Sequence, residues 1–462
     1  MTVAKAAREA ARQLGRGGGT SLPGLIAQTV DPDIVREMSA EIPGGIVVVS
    51  GTNGKTTTSR MLRAMLTVAG FDPIHNREGA NLERGQATTL LARSDMWGRL
   101  RVSPQSIGLY EIDEGILPVF LDRIQPRVLV LTNILRDQLD RYIEIDYLAE
   151  LWRRRFVNLG SETRLVVNAD DPLLSELASQ VDLPVTYFGL EDVSVGQTAL
   201  EHASDSRRCL RCGTDFEYTH TFYGHLGHYA CPNCGFTRPP AGVRGTHVLL
   251  NGMEDGRLDI ATVDENVTVT VPLPGLHNIY NALAASAAIV ALGLSLTDSA
   301  PAIAGVTSAF GRVERVMVDG NELIILLVKN PSGYNQVIRT VAATPGLKSL
   351  MVALNDNQMD GRDVSWIWDV EFELLRDQVR SVVTSGLRAH DLALRLKHAD
   401  WFQSPGGTAP PLTIETDVIR ALYRGLLETP PGEPLYLLTT YTPMWELREH
   451  LRKRGLVGNF YD

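Results

Sequence analysis

The stretch IVVVSGTNGKTTTSRML, Ile46 to Leu62, constrains this chain more than any other. A continuous apolar run that stops at a glycine turn predicts a strand buried on both faces, as in a parallel sheet covered by helices. The turn holds Gly51, Thr52, Asn53 and Gly54, and Lys55, Thr56 and Thr57 follow where a helix should begin. Unpaired backbone N–H groups at a helix start form an anion site. Two glycines let the backbone approach a phosphate, Lys55 can reach the β- and γ-phosphates, and the Thr56 hydroxyl is placed for Mg²⁺. Residues 51–57 are therefore the expected ATP-binding residues. The spacing departs from the longer phosphate-loop pattern, because Val49 stands where the outer glycine would fall.

Strand and helix patterns alternate through the first half of the chain. Apolar runs predict strands at GIVVVS, SIGLYEI (Ser106–Ile112), RVLVLTN (Arg127–Asn133), RLVVN (Arg164–Asn168) and VTYFG (Val185–Gly189). That alternation predicts a doubly wound α/β domain over residues 46–311, preceded by an N-terminal helix and lead-in over 1–45. Two short strand-like runs, HVLLN and VTVTVPL, follow a polar stretch, and GLHNIYNALAASAAIVALG then predicts a buried helix. A second α/β pattern over 312–462 predicts a Rossmann-like domain with strands ELIILLV, KSLMVAL, VRSVVTS and PLYLLTT.

Mg²⁺ takes more oxygen ligands than one threonine supplies. The run LYEIDEG ends a predicted strand on Glu111, Asp113 and Glu114. Strand ends in such sheets face the ligand crevice, so Glu111 is the expected second Mg²⁺ ligand. Asn133, Asp137 and Gln138 end another strand over the same crevice.

The chain's four cysteines form two C-x-x-C pairs, Cys209/Cys212 and Cys231/Cys234, each followed by a glycine. This is zinc-ribbon spacing, expected as an insertion over residues 201–240. Four thiolates close a tetrahedron, so the expected zinc is structural. Two disulfides, or four unrelated thiols, are the alternative readings.

Formal net charge is −10, which argues against a general nucleic-acid binder. Neither a membrane span nor a signal peptide is expected, and the chain reads as cytoplasmic.

Together SGTNGKTTTS, EIDEG, TNILRDQLD, NADDP (Asn168–Pro172), GLHNIYNALAA and GRVER (Gly311–Arg315) resemble the Mur ligase family. The resemblance implies a Mur-ligase-like central ATPase domain in which His277, Asn278, Asn281 and Arg312 reach the nucleotide. RGGGTSLPG, HNREGANLERG (His75–Gly85), the cysteine pairs, VKNPSGYNQ (Val328–Gln336) and NDNQMDGRDVSWIWDVEFE (Asn355–Glu373) are similar to one subfamily. Its members are ligase subunits of lipid II isoglutaminyl synthase. The resemblance implies amidation of the D-glutamate α-carboxyl in the lipid II stem peptide at the inner membrane face. It also implies ammonia from a GatD-type glutamine amidotransferase partner, and it singles out Asp360 as catalytic, beside Asp356 and Asp363. Two features depart from ordinary Mur ligases. Only about forty-five residues precede the phosphate loop, which suits a substrate lacking UDP, and Gln138 stands at a histidine position. Two other functions stay open on the residues alone. One is an amino-acid-adding ligase. The other is a nucleotide-driven module gripping RNA or a protein through the cysteine ribbon, with Arg207, Arg208, Arg211 and Arg238 beside Tyr218, Phe222 and Tyr223.

Overall fold

The computed structural model describes residues 22–76, 82–95, 97–136, 145–198, 200, 204–307, 313–402 and 409–458. Asp137, Gln138, Arg312 and residues 1–21, where the N-terminal helix is expected to begin, lie outside them. Two α/β layers and a small hairpin account for the described residues.

The first sheet contains β1 (Ile46–Ser50), β2 (Asp72–His75), β3 (Ser106–Glu111), β4 (Val128–Leu131), β5 (Arg164–Asn168) and β6 (Val185–Leu190). It continues, after an insertion, with β9 (Val243–Asn251), β10 (Asp255–Ala261) and β11 (Asn266–Val271). The insertion carries β7 (Glu217–Tyr223) and β8 (Leu226–Ala230), an antiparallel pair of their own. Strand order is β11-β10-β9-β6-β5-β4-β1-β3-β2. From β2 across to β9 every pairing is parallel, whereas β9, β10 and β11 run antiparallel. The expected parallel sheet thus gains an antiparallel edge, and β2 and β10 were not anticipated.

Alternate residues of β1 feed opposite cores, as a pleated strand requires. Val47 and Val49 join the side that holds the helix Leu276–Ala291, while Ile46 and Val48 join the side that holds Trp152 and Phe156. The segment before β1 is more than a lead-in. Helices α1 (Leu22–Val30) and α2 (Ile34–Ala40) add Ala27, Ile34, Val35 and Met38 to the second of these cores. Further helices are α3 (Lys55–Val68), α4 (Glu83–Arg93), α5 (Ile145–Phe156), α6 (Pro172–Ala178) and α7 (Leu276–Ala291). As expected, α7 is buried along nearly its whole length.

The second sheet has the order β12-β13-β17-β14-β15-β16. Its strands are β12 (Val313–Val318), β13 (Asn321–Leu327), β14 (Lys348–Ala353), β15 (Val379–Ser385), β16 (Leu412–Ile414) and β17 (Leu435–Thr439). Only β12–β13 is antiparallel. Its helices are α8 (Pro331–Ala342), α9 (Ala389–His398), α10 (Val418–Glu428) and α11 (Tyr441–Lys453). No helix among the described residues is long and apolar enough to cross a membrane.

Candidate functional site

The turn between β1 and α3 needs its glycines. Gly51 and Gly54 have φ of +133° and +89°, a region that L side chains rarely enter. A Cβ on Gly54 would lie 2.1 Å from Asn281 Oδ1, and one on Gly51 would lie 2.3 Å from Thr132 Oγ1. The exit of β4 clamps the turn. Thr52 N donates to Asn133 O at 2.9 Å and Asn53 N to Asn133 Oδ1 at 2.9 Å. Thr132 Oγ1 donates to Asn53 O at 2.8 Å. Gly54 caps α3 without any side-chain hydrogen bond, so the helix start is left to an anion.

Lys55 and Thr56 each meet a carboxylate. Lys55 Nζ donates to Glu114 Oε2 at 2.7 Å, to Gly51 O at 2.5 Å and to Thr52 O at 3.0 Å. The two side chains are only 7% and 4% exposed. Burial pushes the Lys55 pKa down, but the charges of Glu114, Asp113 and Glu111 outweigh it, and the net direction is up. Thr56 Oγ1 donates to Glu111 Oε1 at 2.8 Å. The peptide of Glu111 is itself held, with its N–H on Asn76 Oδ1 at 2.9 Å and its carbonyl accepting from Gln86 Nε2 at 3.0 Å. A buried hydroxyl beside a buried carboxylate is an oxygen donor set that suits a hard cation.

The turn opens into a cleft between the two sheets, enclosing about 1060 Å³ with its mouth included. Asn53, Gly54, Asn278, Asn281, Lys329 and Asn330 line it. Asn278 Nδ2 donates to Pro274 O at 2.8 Å, and Asn281 Nδ2 donates to Asn278 Oδ1 at 3.0 Å. The structure thus brings Asn53, Gly54, Thr57, Asn133, His277, Asn278 and Asn281 to one cleft, while Gly51, Thr52, Lys55, Thr56 and Glu111 are buried beside it and do not line it.

The four cysteines converge, their Sγ atoms all within 4.8 Å of one another. Cys209–Cys234 and Cys212–Cys231 sulfurs stand 3.6 and 3.4 Å apart. Disulfide sulfurs would be about 2 Å apart, whereas a Zn–S length of about 2.3 Å places tetrahedral sulfurs about 3.8 Å apart. The disulfide alternative therefore fails and the tetrahedral one fits. Hydrogen bonds from Thr214 pull the Cys212 thiol down to about 6, and burial pushes the Cys209 thiol up to about 12.

The ribbon residues expected to grip RNA mostly face their own chain. Phe222 and Tyr223 are buried. Arg238 pairs with Asp170 at 2.5 Å and Glu191 at 2.9 Å. Arg211 lies over Phe236, but it, Arg207 and Arg208 are all exposed.

Asp360 does not line the cleft. It is 2% exposed. Its Oδ1 accepts from Thr442 N at 2.8 Å and its Oδ2 from Thr442 Oγ1 at 2.5 Å, in the first turn of α11. Asp356 pairs with Arg388 at 3.1 Å, and Asp363 accepts from Ser365 N at 2.8 Å.

Sequence reasoning left Glu114, Asn76, Gln86 and Asn330 without roles. Each sits within a quoted motif or beside one, but its partner lies far away along the chain.

Residues 49–234 match the Mur ligase middle domain family, and residues 327–444 match the MurT ligase C-terminal family. The chain is 34% identical over 457 residues to the lipid II isoglutaminyl synthase (glutamine-hydrolyzing) subunit MurT of Staphylococcus aureus, covering 96% of each. It is 34% identical to the subunit of the same name from Streptococcus pneumoniae, covering 96% of this chain and 94% of that one. Among solved structures, a pseudomurein peptide ligase type C from Methanothermus fervidus superimposes with a TM-score of 0.67 at 21% identity, over 89% of this chain and 79% of that one. That likeness establishes the fold.

Proposed function

This chain belongs to the MurT family, and from that premise we propose that it is the ligase subunit of a lipid II isoglutaminyl synthase. The reading is ATP-dependent formation of a carbon–nitrogen bond on the D-glutamate α-carboxyl of the lipid II stem peptide, giving D-isoglutamine for peptidoglycan. The observation that carries it is the phosphate loop, whose Asn53 and Gly54 line an interdomain cleft with Lys55 buried on Glu114 just behind them.

ATP supplies the γ-phosphoryl group that turns the carboxylate into an acyl phosphate, and Mg²⁺ offsets phosphate charge. Ammonia then displaces phosphate, and the nitrogen loses a proton to give the amide. The chain's own residues position and neutralise. The N–H groups of the turn and the start of α3 face the phosphates. Lys55, charged because Glu114 and its neighbours hold it so, turns toward the β- and γ-phosphates. Thr56 and Glu111 would hold Mg²⁺. Asn278 would meet the nucleotide from α7, and Arg312 would reach it from the domain boundary. The C-terminal sheet reads as Rossmann-like. Cys209, Cys212, Cys231 and Cys234 would hold one structural zinc.

With all four cysteines in the cluster, none is available as the thiolate that frees ammonia from glutamine. A separate GatD-type glutaminase is therefore the proposed partner, docked on the C-terminal domain with Asp360 orienting its histidine. The proposed setting is the cytoplasmic face of the membrane, where a lipid-linked substrate would be met.

The test combines chain, glutaminase, ATP, Mg²⁺, glutamine and lipid II, and reads the stem peptide by mass spectrometry. Conversion of glutamate to isoglutamine supports the reading. Incorporation of an intact amino acid would transfer it to the amino-acid-adding ligases. ATP turnover driven by nucleic acid alone would favour a ribbon-based binding module.

A further inference from the structure

The inserted hairpin does more than carry the cysteines. Its tip, Tyr223-Gly224-His225, points away from them and into the seam between the two domains. Asn53 of the phosphate loop donates through Nδ2 to Tyr223 Oη at 2.8 Å. The same Asn53 faces Asn330 of the second domain. Asn330 Nδ2 donates to Asn53 Oδ1 at 3.1 Å, and Asn53 Nδ2 approaches Asn330 Oδ1 at 3.4 Å. Asn330 is fixed in turn, because its Oδ1 caps α8 through Gly333 N at 2.8 Å. A Cβ on Gly224 would sit 3.3 Å from both Leu135 Cδ2 and Ser332 Oγ, so the tip is wedged against both domains.

We propose that Tyr223 is a positioning residue, one that sets the phosphate loop through Asn53 and, with Asn330, latches the second domain over the nucleotide cleft. This rests on the ligase reading for its nucleotide, not for its geometry.

The phenol is well placed for such work. It is 2% exposed, and the hairpin behind it is stiff. Phe222 meets Tyr280 edge-on with centroids 6.4 Å apart, and Tyr280 donates to Asp170 at 2.7 Å. Phe216, Tyr229 and Phe236 pack together beside the cysteines. Of the two residues that meet the Asn53 side chain here, Tyr223 belongs to the insertion in its own domain and Asn330 to the other domain. When the domains part, the Asn330 contact breaks and the Tyr223 contact persists. The loop then keeps its shape while the cleft is open.

The experiment uses the full chain with donor and acceptor dyes on the two domains, a fluorescent ATP analogue and steady-state amidation. Tyr223→Phe removes one oxygen and leaves the ring packing. It is expected to raise the ATP Kd and KM about tenfold, with kcat at saturating ATP and the melting temperature near wild type. Asn330→Ala is expected to shift the nucleotide-free dye distances toward an open form. The double variant should be non-additive, because both act through Asn53. Unchanged ATP affinity and dye distances in Tyr223→Phe overturn the proposal. A lowered melting temperature with unchanged KM would reduce Tyr223 to packing, which also overturns it. If the wild-type chain binds no ATP, the ligase reading fails separately, and the dye distances still decide the latch.

Discussion

Lys55 and Asp360 occupy comparable places, each past the C-terminal end of a parallel strand, β1 and β14, and each is almost wholly buried. Each charge is also met by the chain itself, Lys55 by Glu114 and two carbonyls, Asp360 by Thr442. The difference lies in what release would cost. The partners of Lys55 belong to the site it serves, and its flexible stem lets the ammonium exchange Glu114 for a phosphate without entering water. Asp360 accepts two hydrogen bonds at the start of α11, where the helix dipole adds to the attraction. Leaving that seat means giving up both. A buried charge can thus be held by groups of the site it serves, as Lys55 is, or by the start of a helix, as Asp360 is.

Lys55→Ala is the strongest way to break this comparison. ATP turnover is expected to fall on the order of 10³-fold. Stability should fall too, by about 3–5 kcal/mol, because Glu114 is left buried and unpaired. Adding Glu114→Gln should restore much of the melting temperature but none of the turnover. Near-normal turnover in the single variant would remove the phosphate-loop assignment. Asp360→Asn comes next. Glutamine-dependent amidation should drop roughly 10²-fold while the reaction with supplied ammonia persists. Equal loss of both reactions would move Asp360 to the ligase step, and no change would leave it as the anchor of α11.

Replacing all four cysteines by serine should take bound zinc from one per chain to none by metal analysis. An isolated ribbon would leave the ATP site alone. Tyr223 ties this one to Asn53, so ATP affinity should fall by about tenfold as well. The last effect is one of pH. Burial, with Arg63 and Arg60 nearby, lowers the His75 pKa to about 4 from the ordinary 6.5. Above pH 6.5 the imidazole is neutral folded and unfolded, and it costs nothing. As pH falls from 6.5 toward 4 the unfolded chain takes a proton that folded His75 refuses, so stability is lost across that window. Urea unfolding of His75→Gln should show that loss reduced by about 2 kcal/mol.

The central strands were legible because burial on both faces leaves continuous apolar runs, as in β1, β4 and β5. The edges were not. DGRLDIA in β10 alternates buried and exposed residues amid charges. β2 carries a proline, and β16 has three residues. The phosphate loop was readable because its chemistry is local. The seam was not, since Asn53 meets partners 170 and 277 residues away. No periodicity reports a contact of that kind. Glu114 shows the same limit, for its quoted motif predicted acid at the crevice but not which carboxylate would hold the lysine.

Strands β6 and β9 pair directly, although residues 191–242 come between them. At equilibrium this is cheap, because each doubling of a loop costs only about 0.6 kcal/mol. On the ribosome it is a delay. At about 5–20 residues per second, the roughly fifty intervening residues take several seconds to emerge. Through that time β6 offers a bare parallel edge to any neighbouring nascent chain. The hairpin is made of short-range contacts around its own aromatic cluster, so it can fold within the wait and stand beside the edge before β9 arrives.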